Sequence, residues 1–299
     1  LVNTQEQVKG ELRDGLCVFQ PRMTVTCAEG AAALVERTRV DPGGDPEVET
    51  NHLLYRHAPA FAVGHGCSIA WDRPTTDTGG DASAAGERAA VARLWTTFTP
   101  EQEVLITHSN PAISEISMRH LAEGLDGEIL GTLHELVQGY RDWIEDRRRE
   151  IDRLPEIYRT TARRQIRTCE SICDRIQAGI ELLGSPDRPE IMEAFREANR
   201  AMMMQRGRTS WIKRGRTGRP REDGTWRPFQ IAFLLLCLCG IVDSEHDDRQ
   251  IADLLWFPTG GGKTEAYLGL TAFTVFLRRL RQGESGAGVT VLMRYTLRL

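Results

Sequence analysis

Apolar residues recur through Ala162, Ile166, Cys169, Cys173, Ile176, Ile180 and Leu183 in alternating steps of four and three. That rhythm puts all seven on one side of an α-helix and leaves the arginines and acids on the other. Gly184-Ser185-Pro186 ends the pattern, since proline cannot continue a helix. A second stripe through Ile129, Leu133, Leu136, Tyr140 and Trp143 predicts an earlier helix, with Pro155 between the two. Each stripe lasts only about three heptads, which predicts consecutive packed helices rather than one long coiled coil. Before them the texture differs. Short β-like runs (Leu16–Cys27, Ala60–Trp71, Glu103–Thr107) alternate with the turn-rich stretches Asp41–Pro46 and Asp72–Gly86. After them, an apolar helix from Ile231 is followed by a strand-like run Ile251–Phe257. Next come an amphipathic helix Glu265–Arg281 and a second strand-like run Val289–Met293.

These textures predict a multidomain protein of mixed α/β and α+β class. Residues 1–118 read as an α+β accessory domain, 119–205 as a helical domain, and 206–228 as a basic linker. Residues 229–299 have the helix–strand rhythm of an α/β unit. The longest apolar run, Ile231–Val242, stops at Asp243-Ser244-Glu245 and is too short for a bilayer, which takes about 20 residues. The first residues lack a basic-then-apolar leader, and the seven cysteines form no CxxC pair. The chain is therefore expected in a reducing cytoplasm, with its cysteines as small buried hydrophobes and no membrane partner. His65 and Cys67, in Gly64-His65-Gly66-Cys67, have no neighbouring ligands and are expected to be buried at a bend.

Charge is uneven. The formal net charge is −4, yet residues 1–200 carry −10 and residues 201–299 carry +6. Within 206–221 lie Arg206, Arg208, Lys213, Arg214, Arg216, Arg219 and Arg221, with Trp211 among them and no acid. Such a stretch suits a nucleic-acid backbone, with Arg214, Arg216 and Arg219 as its central contacts; a solvated linker is the competing reading. Arg147-Arg148-Arg149 has Glu145, Asp146 and Glu150 beside it and predicts a solvated helix face with local ion pairs.

Only three of the basic residues are lysines, and one of them, Lys263, ends a glycine run: Pro258-Thr259-Gly260-Gly261-Gly262-Lys263-Thr264. A strand, a glycine loop, Lys-Thr and a helix are the parts of a phosphate-binding loop, in the order it requires. Glycines let backbone N–H groups close on phosphate oxygens, and the helix start adds free N–H groups and partial positive charge. The candidate nucleotide contacts are Thr259, Gly260, Gly261, Gly262, Lys263, Thr264 and Glu265. Lys263 reaches the β- and γ-phosphates of ATP, and the Thr264 hydroxyl ligates Mg²⁺. A bare glycine turn is the alternative, and the adjacent Lys-Thr argues against it. The spacing departs from the strict GxxxxGK[ST] pattern, since Phe257 stands where the first glycine belongs.

That departure resembles motif I of superfamily 2 helicases. Trp226-Arg227-Pro228-Phe229-Gln230 similarly resembles their Q-motif, in which the amide of a residue such as Gln230 contacts adenine; a helix cap or a solvated glutamine is the alternative, and the phosphate loop that follows argues against it. Val289–Met293 then reads as the second strand of a RecA-like core. It is followed by a motif Ia-like end, and the resemblance implies that Arg294, Thr296 and Arg298 hold nucleic-acid phosphates; a strand end with an ordinary exposed arginine is the equal alternative. The blocks 254–269 and 288–299, with weaker support from 194–202 and 62–67, resemble the helicase-subunit family of the DISARM anti-phage system (the DrmA family). The resemblance implies an ATP-dependent DNA helicase or translocase that works with DNA and with a second large subunit of that system, DrmB-like. No acidic box follows motif Ia, and phosphoryl transfer needs a carboxylate for Mg²⁺ and a cation on the γ-phosphate. The 299 residues therefore read as the N-terminal part of a longer polypeptide, inactive alone. A protein-remodelling P-loop ATPase and a docking or DNA-gating module for the partner are the other readings.

Overall fold

A computed structural model describes residues 21–28, 34–39, 41–73, 89–99, 114–256 and 261–294. It is a mixed helix-and-sheet protein with small sheets. Contacts divide the chain into two units, one within 1–106 and 151–162, the other within 107–150 and 163–299.

In the first unit, strand β1 (Thr24–Thr26) pairs antiparallel with β5 (Arg93–Thr97), whose other edge takes β3 (Ser68–Trp71). The register sets Leu94 opposite both Val25 and Trp71, and Phe61 meets the Trp71 ring edge-on at 5.4 Å. A second ribbon joins β2 (Leu34–Val35) to β4 (Ala90–Val91). Helix α1 (Pro46–Leu54) is capped at both ends. The Asp45 carboxylate accepts from the Glu47 and Val48 N–H groups, and the Arg39 guanidinium donates to the carbonyls of His52, Tyr55 and Arg56. The expected burial of His65 and Cys67 does not hold fully. Both lie in a bend before β3, His65 exposed and Cys67 half-buried, because Gly66 at φ 72° turns the chain outward there. The strand expected at Glu103–Thr107 lies outside the described residues.

The second unit is helical. A short ribbon of β6 (Ile116–Ser117) and β7 (Thr225–Trp226) leads into α2 (Met118–Glu123). The expected pair of stripes forms α3 (Asp126–Glu150) and α4 (Glu156–Leu183). Arg148 on α3 pairs with Glu170 on α4, and Arg147, Arg148 and Arg149 also find acids one turn away, as their spacing predicts. Helix α5 (Pro189–Lys213) packs on α2, and on α7 (Lys263–Gln282), which also packs on α6 (Pro228–Val242). Phe195, Met203, Trp226, Ile231, Leu234 and Phe273 are fully buried among them. Helices α4 and α6 come close enough that a Cβ on Gly179 would sit 2.2 Å from the Leu235 carbonyl oxygen. Among the described residues, no helix is long and apolar enough to cross a membrane.

Two expectations change here. Residues 206–213, read from sequence as linker, continue α5. Of the two apolar runs read as strands, Ile251–Phe257 and Val289–Met293, the described residues 251–256 and 289–293 are extended but hydrogen-bond into no sheet among the described residues. Leu254 and Leu292 are 88% and 90% exposed. Apolar β-forming residues need a ladder neighbour to become a buried strand. Instead an arginine from a helix holds each run. Arg175 takes Asp253, and Arg278 donates to the carbonyls of Ala287 and Val289.

Candidate nucleotide site

Pro228 opens α6, where its fixed φ suits a first helical position, so Gln230 falls in the first turn. The side chain of Gln230 folds back and its Oε1 accepts from the Arg227 N–H at 2.9 Å, the return half of a capping box. Gln230 is 3% exposed. Its Nε2 donates to the carbonyl oxygen of Gly262 at 2.7 Å, across 32 residues of sequence. Beside it, the Arg227 guanidinium donates to the Gly261 carbonyl at 2.8 Å. Sequence alone had singled out Gln230 but not Arg227.

Gly262 is the N-cap of α7, at φ 89°. Glycine is favoured at this position first by its backbone and then by close side-chain neighbours. Its backbone is left-handed, and a Cβ would stand 2.7 Å from Gln230 Nε2 and 3.3 Å from Glu265 Oε2. A glycine N-cap has no side chain to cap the helix, so the first N–H groups of this 20-residue helix receive none from that residue. Lys263 is the first helical residue, the Thr264 side chain is exposed, and Glu265 sits half-buried in the first turn. Gly261, Gly262, Lys263, Thr264, Glu265 and Gln230 are thus gathered at one place; Thr259 and Gly260 lie outside the described residues.

A buried anchor behind the site fixes its two helices. Trp226 donates from Nε1 to Asn199 Oδ1 at 2.7 Å, and Asn199 Nδ2 returns a bond to the Phe195 carbonyl on α5. The far edge of the same indole lies where a Cβ on Gly269 of α7 would come within 2.8 Å. One tryptophan therefore fixes the start of α6 against α5 and α7. Asn199 falls within the segment 194–202, and its place on the same helix face as Ile191, Phe195 and Met202 was the available signal.

Of the residues read as nucleic-acid contacts, Arg214, Arg216 and Arg219 stand together on an exposed turn after α5. The turn is built rather than slack. Trp211 Nε1 donates to the Gly218 carbonyl at 2.7 Å, Arg216 N–H donates to the Trp211 carbonyl, and Arg216 itself adopts φ 61°. The chain then doubles back along α5, where a Cβ on Gly207 would strike the Arg221 carbonyl oxygen at 1.9 Å. All seven cations of 206–221 are exposed. Arg294 lines a groove on α7 with Tyr267, Leu270, Thr271 and Thr274, while Thr296 and Arg298 lie outside the described residues.

Together these features define a mixed helix-and-sheet protein in which a glutamine-headed helix is hydrogen-bonded to a glycine-lysine helix start. No family model matches the chain. It is 34% identical, over 94% of its length, to DISARM protein DrmA of Bacillus paralicheniformis, and it spans 25% of that protein. The resemblance read from the sequence is borne out along nearly the whole chain, which matches part of a DrmA protein.

Proposed function

We propose that this chain is the nucleotide-gripping part of an ATP-dependent DNA helicase or translocase that acts in the bacterial cytoplasm as a component of an anti-phage defence system. The observation that carries the reading is the 2.7 Å bond from Gln230 to Gly262, which ties the adenine-reading candidate to the phosphate-reading candidate. The amide of glutamine can donate two hydrogen bonds and accept two. Gln230 spends one donor on Gly262 and one acceptor on Arg227, which leaves one of each for the donor–acceptor edge of adenine.

The residues present fit a nucleotide. Gly262 is a cradle that a Cβ would fill, and Lys263 stands at the positive end of a long helix. When bound, ATP and Mg²⁺ supply the cleavable anhydride and the charge that offsets it. Gly260, Gly261 and Gly262 would let the backbone approach the phosphates, Lys263 would neutralise their charge, and the Thr264 hydroxyl would help to hold the metal. In this reading 251–256 and 289–293 are the first strands of a RecA-like sheet, with their apolar side chains awaiting neighbours. The exposed turn of Arg214, Arg216 and Arg219 follows a DNA backbone, and Arg294, Thr296 and Arg298 add contacts at the second strand's end. The protein similar to this chain is named for the DISARM system, so the partner expected is its second large subunit, DrmB-like.

DNA-stimulated ATP hydrolysis by the full-length protein tests the proposal. Turnover that rises with DNA and is lost in Lys263→Ala is the expected result. Turnover indifferent to DNA would instead leave a protein-remodelling ATPase.

A further inference from the structure

Arg175 stands on α4, yet its guanidinium reaches three carboxylate oxygens contributed by the segment that precedes the glycine loop. Nη1 and Nη2 grip Asp253 Oδ1 and Oδ2 at 2.7 and 2.9 Å, and Nε holds Asp248 Oδ2 at 3.0 Å. The cluster is largely sheltered, with side-chain exposures of 14% for Arg175, 21% for Asp253 and 11% for Asp248. The fork on Asp253 is the bidentate geometry that fixes both distance and angle, which a lysine cannot reproduce. Its bonds to Asp253 raise the Arg175 pKa further, so the charge is constant at any working pH. Around it, the Arg249 guanidinium donates to the Gly240 carbonyl, and the His246 ring accepts from the Asp248 N–H.

The cluster lies on the stretch of chain that enters the glycine loop. Residues 257–260 are flanked by described residues on both sides, and each flank is held by a different helix. Arg227 and Gln230 at the start of α6 hold Gly261 and Gly262. Arg175 on α4 holds Asp253, five positions before Pro258. Among the described residues 251–256 joins no ladder; Ile251, Leu254 and Trp256 are exposed, and Leu255 is half-buried. The Ile251 N–H also donates to the Asp248 carbonyl, and Ala252–Leu255 line an apolar cavity with residues of α3, α4 and α6, so the Arg175 fork adds a directional, charge-assisted hold to the approach to the loop.

We infer that Arg175, through its fork on Asp253, is a positioning residue that sets the entry side of the phosphate loop and thereby its affinity for nucleotide. The inference rests on the proposed phosphate loop and adds to it a residue that touches no nucleotide. It also makes the helical region a participant in nucleotide binding: a partner or DNA that shifted α4 would be felt at the loop.

The test uses the full-length protein and a fluorescent ATP analogue, with equilibrium binding measured for Arg175→Met, Asp253→Asn, Asp248→Asn and Lys263→Ala, and thermal unfolding followed in parallel. Arg175→Met and Asp253→Asn are expected to weaken binding by about tenfold, the order of one charge-assisted bidentate contact. Asp248→Asn should weaken it distinctly less, since the fork on Asp253 survives. A purely structural cluster predicts the opposite order, because Asp248 is the more buried carboxylate. Arg175→Lys should not restore binding, as charge without the fork is insufficient. Asp253→Asn keeps the proposal testable should Arg175→Met fail to fold. Wild-type affinity in Asp253→Asn, or a loss in Asp248→Asn at least as large, overturns the inference while a loss in Lys263→Ala leaves the phosphate loop standing. Wild-type affinity in Lys263→Ala would overturn both.

Discussion

Gln230 is 3% exposed and still has hydrogen-bonding capacity on both atoms of its amide. Removing the amide should matter less for how tightly phosphate is held than for which base is accepted. Gln230→Ala is expected to bring ATP and GTP close to equal as substrates of the full-length protein. A selectivity ratio equal to wild type would remove Gln230 from the base-reading role. Gly262 is less forgiving, since its φ of 89° strains any other residue and a methyl group there would push the Gln230 amide off its bond to the Gly262 carbonyl. Cysteines offer a second residue-scale check. Burial, and then the nearby Asp253 carboxylate, push the Cys237 thiol up to about 12 from an ordinary 9.0. The folded state therefore keeps its proton where the unfolded chain releases it, so Cys237 contributes stability below pH 9 that fades as pH climbs towards 12. Native protein at pH 8 is expected to leave Cys237 unlabelled by a thiol reagent that modifies it readily in denaturant. Equal labelling in both states would show the thiol to be accessible.

At the scale of elements, the anchor between helices predicts more than the helices alone. Asn199→Leu strands the Trp226 indole N–H in an apolar interior, which costs about 1–3 kcal/mol. Chemical denaturation should register the drop in stability, and unchanged stability would mean that water replaces the amide. The built turn after α5 makes a separate prediction. Changing Arg214, Arg216 and Arg219 together to Ala should weaken binding of any DNA sequence about equally. The slope of log K against log salt should fall by about 0.9 for each duplex phosphate that is no longer neutralised. Wild-type affinity and slope would assign those arginines to solvent alone. The helices were legible from sequence because a one-sided apolar stripe repeats at helical spacing whatever its neighbours do, as α4 does from Ile166 to Leu183. Strands were not, since Ile251–Trp256 has the composition of a buried strand while pairing depends on another segment. The glycine loop and Gln230 could be read as chemistry, but their 2.7 Å meeting could not. Nor could the Arg175 fork, which joins positions 78 residues apart.

Across the whole chain, residues 1–200 carry −10 and residues 201–299 carry +6, so a polyanion is favoured on the part that also carries the glycine loop. The exposed cations of 206–221 and the phosphate-loop candidates both belong to the second unit. The first unit holds its own sheet and its own capped helix, and none of the proposed nucleotide contacts. Every role proposed for the second unit depends on Lys263 and its glycines holding phosphate. Calorimetric titration of the full-length protein with a non-hydrolysable ATP analogue and Mg²⁺, wild type against Lys263→Ala, measures that directly. The account predicts saturable binding in the wild type and an affinity at least about tenfold weaker in the variant, on the scale of one charge-assisted hydrogen bond. Equal affinity in the two proteins would contradict it.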